Sequence, residues 1–123
     1  MSKPVIPHDH GHRLKQALEK MPEDSSFSEA ADIFSQLSDV TRLRILWLLC
    51  HCEECVTDIA AAVGMSEPAV SHHLRILKTN NLLVSHRDGK EVYYTLSATE
   101  KARLVHQMVD DVFEMQCPDF GIR

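Results

Sequence analysis

A mainly α-helical fold with one small β-hairpin is predicted by three observations. Apolar residues recur at helical spacing through most of the chain. Gly64 separates two short helical patterns, the second opened by Ser66. The period then becomes strand-like between Leu83 and Leu96, on either side of an Asp88-Gly89 step. The 123 residues suit one domain with short tails, and an apolar fraction of 44% is enough for a core.

Residues 1–12 are polar, carry Pro4 and Pro7, and read as a flexible arm. Leu14, Ala17, Leu18 and Met21 then mark a short amphipathic helix that Pro22 ends. After Ser25 and Ser26, a second helix takes its stripe from Ala30, Phe34 and Leu37. Asp39 suits the N-cap of a third, through Leu43, Leu46, Trp47 and Leu49. Cys50 to Glu54 reads as its frayed end and a turn. A short helix over Val56 to Ala62 stops at Gly64, which accepts the left-handed cap conformation.

Ser66 is the expected N-cap of the next helix, with Glu67 and Pro68 in its first turn. Val70, Leu74 and Leu77 form its inner stripe, and Ser71, His72, Arg75 and Thr79 its opposite face. Asp-Gly in Arg87-Asp88-Gly89-Lys90 is a strong hairpin signal between two β-like runs. Ser97 is the expected cap of a last helix, with Leu104, Val105, Met108, Val112 and Met115 as apolar positions. The main domain is placed at 13–117 and a tail at 118–123.

No apolar run approaches the length of a membrane span, about 20 residues. The N-terminus lacks the apolar segment of a signal peptide. A cytoplasmic protein without membrane contact is expected. Cys50, Cys52 and Cys55 crowd too tightly for separate disulfides and point to thiol chemistry or metal binding in a reducing compartment. An enzyme is not expected, since a cysteine–histidine hydrolase needs a paired base, a cleft and an oxyanion site that so short a chain does not supply.

The net charge of −5 argues against nucleic acid, but the distribution argues for it. Between Ser66 and Lys90 the chain sets Arg75, Lys78, Arg87 and Lys90 against Glu67 and Asp88. The last helix is acidic. Two helices joined by a glycine turn, followed by a hairpin, make a winged helix-turn-helix. A helix in a major groove needs an apolar back and a front of small residues and hydrogen-bond donors. Ser71, His72 and Arg75 suit that front, and Arg87 and Lys90 suit phosphate or minor-groove contact at the hairpin tip. A solvated surface helix explains any one of these elements, but not their order.

Four segments carry a family resemblance: Asp39 to Leu46, Cys55 to Ala60, Ser66 to Leu77 and Gly89 to Leu96. Over roughly 27–115 the chain resembles the ArsR/SmtB family, dimeric winged-helix repressors that sense metals, metalloids or thiol oxidants. The resemblance implies a homodimer built through the first and last helices, and a repressor that leaves operator DNA when an inducer binds. It extends the DNA-binding reading to Ser66, Glu67, Ala69, His73 and Lys78.

One family sensor site uses a Cys-x-Cys-Asp-Leu motif with help from the partner's N-terminal arm. Cys55 matches its first cysteine and Thr57 replaces its second. Cys52, three residues back, can compensate through a Cys-x-x-Cys turn, and Cys50 is a third candidate. On an extended arm His8, His10 and His12 would share one side. Thiolates with imidazoles suit a divalent thiophilic ion, Zn²⁺ or Cd²⁺ above all and also Pb²⁺, while three thiolates suit As(III).

A second family site crosses the last helices. Its positions here are Ala98, Glu100, Asp111 and Glu114, which retain oxygen donors and no imidazole. His106 and Asp110, one turn apart, offer a rearranged version. The other reading within this fold is a thiol-redox or persulfide-responsive repressor using Cys50, Cys52 or Cys55 with Cys117, although Trp47 stands where the resemblance would place the pairing cysteine.

Overall fold

The computed structural model describes residues 4–8 and 10–114, so Asp9, Met115, Cys117 and the expected tail lie outside the described residues. The chain forms two compact units, 1–32 and 33–123.

In the first unit, His10–His12 form a single 3-10 turn, followed by α1 (Arg13–Lys20) and the start of α2 (Asp24–Leu37). The extended arm expected from the sequence is therefore replaced by a turn near its end. Gly11 and His12 both take positive φ, 76° and 62°, and the His10 amide donates to the His8 carbonyl at 3.0 Å. This backbone abolishes the strict alternation on which the three-histidine reading rested. α1 ends as expected before Pro22, with the Met21 amide closing on Leu18.

The second unit holds α3 (Val40–His51), β1 (Glu54–Cys55), α4 (Val56–Val63), α5 (Glu67–Thr79), β2 (Leu83–Asp88), β3 (Glu91–Leu96) and α6 (Glu100–Val112). Local chemistry sets the helix boundaries. Asp39 caps α3 by accepting from the Arg42 amide at 2.9 Å, and that bond holds its carboxyl below the usual range. Gly64 ends α4 at φ 70°. Ser66 accepts from the Ala69 amide at 3.3 Å to open α5.

Two boundaries differ from expectation. α3 keeps its helix through His51, and Glu54–Cys55 form a short strand opposite Tyr94 and Tyr93. The sheet is thus three-stranded and antiparallel, in the order β1-β3-β2, rather than a lone hairpin. The cap of α6 is Thr99, which accepts from the Ala102 amide at 3.1 Å, and not Ser97. Ser97 is committed elsewhere: its amide donates to Leu82 and its hydroxyl to the Asn81 carbonyl at 2.8 Å, anchoring the end of β3.

The core comes from every helix of this unit. Ile45, Leu46 and Leu49 of α3, Ile59 of α4, Val70, Leu74 and Leu77 of α5 and Val105 of α6 are fully buried with Leu82. Burial of each such side chain stabilises the fold by about 1.5–3 kcal/mol. On α6 the inner face is Ala102, Val105 and Val109; Leu104 and Val112, also among its apolar positions, are exposed by 47% and 73%. The helix therefore carries a second apolar stripe turned outward.

Candidate nucleic-acid interface and metal-capable clusters

The apolar back of α5 fixes which side chains face out. With Val70, Leu74 and Leu77 against the core, His72, Arg75, Lys78 and Thr79 are exposed and Ser71 is half-buried. The serine cap and Glu67 complete the first turn, where Glu67 accepts a hydrogen bond from Thr57 Oγ1 of α4 at 3.1 Å. Ala69 is half-buried, and His73 is turned toward α3. Arg42 Nε donates to His73 Nδ1 at 3.2 Å, and Arg42 Nη1 donates to Gln36 Oε1 at 3.1 Å. Lys78 Nζ donates to Ser85 Oγ at 2.7 Å, which ties α5 to β2.

Six cross-strand pairs, from Leu83↔Leu96 to Asp88↔Glu91, define the hairpin. The turn residues are Gly89 and Lys90, one position later than an Asp-Gly turn would be, with Gly89 at φ 64°. Arg87 and Lys90 are exposed at its tip. Midway along it His86 pairs with Glu53 at 3.2 Å and stacks on Tyr93.

The cysteines occupy three different environments. Cys50 is fully buried in α3. Cys52 sits at the C-cap of that helix, where Sγ donates to the Leu48 carbonyl at 3.2 Å. Burial pushes the Cys52 thiol up, and the charge of Glu54 adds to this. Cys55 is buried in β1 opposite Tyr93. No disulfide joins these three, and they do not make a converging group of three metal-capable donors among the described residues. Cys52 thus follows the end of α3 and Cys55 lies in the strand that comes after it. In the arm the rings of His8 and His10 stack with centroids 6.0 Å apart.

The acidic positions of α6 are also engaged. Both oxygens of Glu100 accept from Arg103, which lowers the carboxyl's pKa. Asp111 accepts from Gln107 Nε2 at 3.0 Å, and Glu114 follows the helix at φ 52°.

His106 and Asp110 do come together, with Nε2 and Oδ2 3.3 Å apart. A third residue joins them: His51 from the last turn of α3. One ligand atom from each of the three lies within 4.8 Å of the others, the one such group among the described residues. His51 was not singled out in the sequence. Its signal there is weak, a histidine four residues after Trp47, and its relation to α6 is a matter of tertiary packing.

Residues 39–85, spanning α3 to the start of the hairpin, match the profile of the bacterial regulatory protein family arsR. The chain is 40% identical over 104 residues to a transcriptional repressor SmtB homolog of Synechocystis sp., covering 82% of this chain and 79% of that protein. The chain belongs to the ArsR family. This ArsR-family chain is also 36% identical over 104 residues to a cadmium resistance transcriptional regulatory protein CadC homolog of Staphylococcus aureus, covering 83% and 82% of the two. Its fold is similar to a homodimeric winged helix-turn-helix DNA-binding domain from Mycobacterium bovis, a possible ArsR-family regulator. The TM-score is 0.63 and the identity 30%, over 76% of this chain and 88% of that one. The ArsR-family fold is thus a winged helix-turn-helix, and the proteins that share it are transcriptional regulators. No helix among the described residues is long and apolar enough to cross a membrane.

Proposed function

We propose that this chain is a cytoplasmic, homodimeric repressor that binds operator double-stranded DNA and releases it when a thiophilic metal or metalloid ion binds. The observation that carries the reading is the two-faced α5. Val70, Leu74 and Leu77 are fully buried, while His72 and Arg75 stand exposed on the opposite side beside a basic hairpin tip. Ser71, His72 and Arg75 read base edges. Ser66 and Ala69 place backbone amides at the positive end of the helix near phosphate. Arg87 and Lys90 hold phosphates. Glu67, His73 and Lys78 position the helix through the hydrogen bonds described above.

The dimer is built through the first and last helices. Exposed Leu14, Leu104, Val112 and Phe113 support this, since each is a large apolar side chain left facing outward. Relatives that include a cadmium resistance regulator support the metal response. Cys52 and Cys55 are the thiolate ligands, with Cys50 and the arm's His8, His10 and His12 as further donors. The ion joins the arm of one subunit to the cysteine turn of the other and favours a dimer whose recognition helices no longer match the groove spacing. By linkage, DNA weakens metal binding by the same factor.

Selection from random duplexes tests the DNA-binding part. The metal-free protein should enrich a sequence with two related half-sites about one helical turn apart. Enrichment of no sequence, with binding that depends on salt alone, would contradict it.

A further inference from the structure

We propose that His51, His106 and Asp110 form a site for a divalent ion of the Zn²⁺, Co²⁺ or Ni²⁺ class, held within one chain between α3 and α6. Its regulatory meaning rests on the metal-responsive reading above; the site itself does not. It shares no residue with the cysteine turn.

The chemistry of the donors defines the class of ion. Two imidazoles and one carboxylate are a borderline nitrogen and oxygen set, suited to first-row divalent ions and poorly suited to Cd²⁺, Pb²⁺ or As(III), which favour thiolates. The separation fits as well. A tetrahedral ion with bonds of 2.0–2.1 Å holds its ligands about 3.4 Å apart. His106 Nε2 and Asp110 Oδ2 already stand 3.3 Å apart, and all three donors lie within 4.8 Å. Small rotations of side chains close the remainder.

The surroundings orient His51 as a ligand. Its Nδ1 lies 2.6 Å from the Trp47 carbonyl oxygen. A carbonyl only accepts, so Nδ1 carries the proton, and Nε2 is the nitrogen with a lone pair. This is the outer-shell arrangement that fixes the tautomer of metal-binding histidines. The Trp47 ring packs against the imidazole at 4.4 Å, and His51 is only 3% exposed. His106 and Asp110 retain 13% and 15% side-chain exposure, which leaves a solvent side for entry and for a water ligand.

An ordinary ion pair between His106 and Asp110 explains Oδ2 alone. Asp110 Oδ1 is buried with no hydrogen-bond partner among the described residues. A bound ion satisfies the carboxylate and links two helices, one from the DNA-binding core and one with an outward apolar stripe.

Titration of the full-length protein with Co²⁺, followed by d–d absorption, tests the site. A Cys52→Ser, Cys55→Ser double variant removes the two proposed thiolate ligands. We expect the double variant to saturate at a single ion per chain in this site, with d–d absorption and no Cys52 or Cys55 thiolate charge-transfer band. Asp110→Asn and His106→Gln, made in that background, should each weaken Co²⁺ binding by roughly tenfold or more. Their metal-free DNA affinity should be unchanged, which shows that the fold is intact. Wild-type Co²⁺ affinity in Asp110→Asn, or loss of the d–d band in the cysteine double variant, would overturn the proposal. Operator release by Cd²⁺, measured on the wild-type protein, separates the two readings. If release fails while Co²⁺ still depends on Asp110 and His106, the metal-responsive repressor fails and the site stands.

Discussion

Thr57 Oγ1 donates a hydrogen bond to Glu67 Oε1 at 3.1 Å, across the turn between α4 and α5. Thr57 stands where the resembled family motif has its second cysteine. Here the position ties α4 to the first turn of α5. Removing the donor in Thr57→Val leaves the Glu67 carboxylate able to swing toward DNA phosphate. Metal-free DNA binding should weaken by roughly 1 kcal/mol or less, with metal affinity unchanged. Fluorescence anisotropy with labelled duplex measures the first and a chelator competition the second. Unaltered DNA affinity would show that the contact has no orienting role.

Arg75→Ala and His72→Ala should each lose sequence-specific binding by about 1–3 kcal/mol while the protein stays folded. Both side chains are exposed, opposite a fully buried stripe. Leu74→Ala, next to Arg75 in the chain, should do the reverse. It should destabilise the protein by about 2–5 kcal/mol, because Leu74 is 0% exposed. Thermal unfolding and gel-shift titrations distinguish the two outcomes. Wild-type operator affinity in both surface variants would remove α5 from the interface.

At the hairpin, charge rather than base reading is at stake. Arg87→Ala and Lys90→Ala should weaken specific and non-specific DNA alike. Each should reduce the slope of log affinity against log salt by roughly one. An unchanged slope would mean that the tip points away from DNA.

Cys52→Ser and Cys55→Ser should keep metal-free DNA binding and lose release by Cd²⁺, because a serine hydroxyl does not replace a thiolate ligand. The Cys52 thiol is raised by burial and by Glu54, so it is protonated near neutral pH. Metal must displace that proton. Affinity should therefore rise with pH until the thiol's own pKa is passed, and fall in acid. Proton release measured during a Cd²⁺ titration checks the sign. Deletion of residues 1–12 should lower Cd²⁺ affinity if the arm's histidines are ligands; normal sensing would leave Cys50 as the further donor. Retained metal response in both serine variants, with loss of an oxidant response in Cys117→Ser, would favour the thiol-redox reading instead.

Features set by neighbouring residues were legible in the sequence. The caps at Asp39 and Ser66 and the glycine stop at Gly64 each depend on a few adjacent positions, and all three occur. The inner stripe of α5 follows from helical period alone. Features set at a distance were not legible. Two residues cannot display a strand period, and Glu54–Cys55 become a strand only through pairing with Tyr94 and Tyr93. Ser97 and Thr99 are equivalent caps by type. Both hydroxyls donate to the Asn81 carbonyl, and the cap falls on Thr99 because the helix begins at Glu100, which puts the Ala102 amide within its reach. His51 joins His106 and Asp110 only once α3 and α6 pack together. The arm's histidines were read on an extended chain, a geometry that the positive φ of Gly11 and His12 removes.

The most direct test of the central claim is the anisotropy of a labelled duplex, chosen by selection with the metal-free protein, titrated with the full-length dimer with and without Cd²⁺. Tight binding is expected without metal, with a loss of at least about 1–3 kcal/mol when Cd²⁺ saturates the protein. Cd²⁺ affinity should fall by the same factor when DNA is bound. Equal DNA affinity in both conditions, or tighter binding with metal, would contradict it.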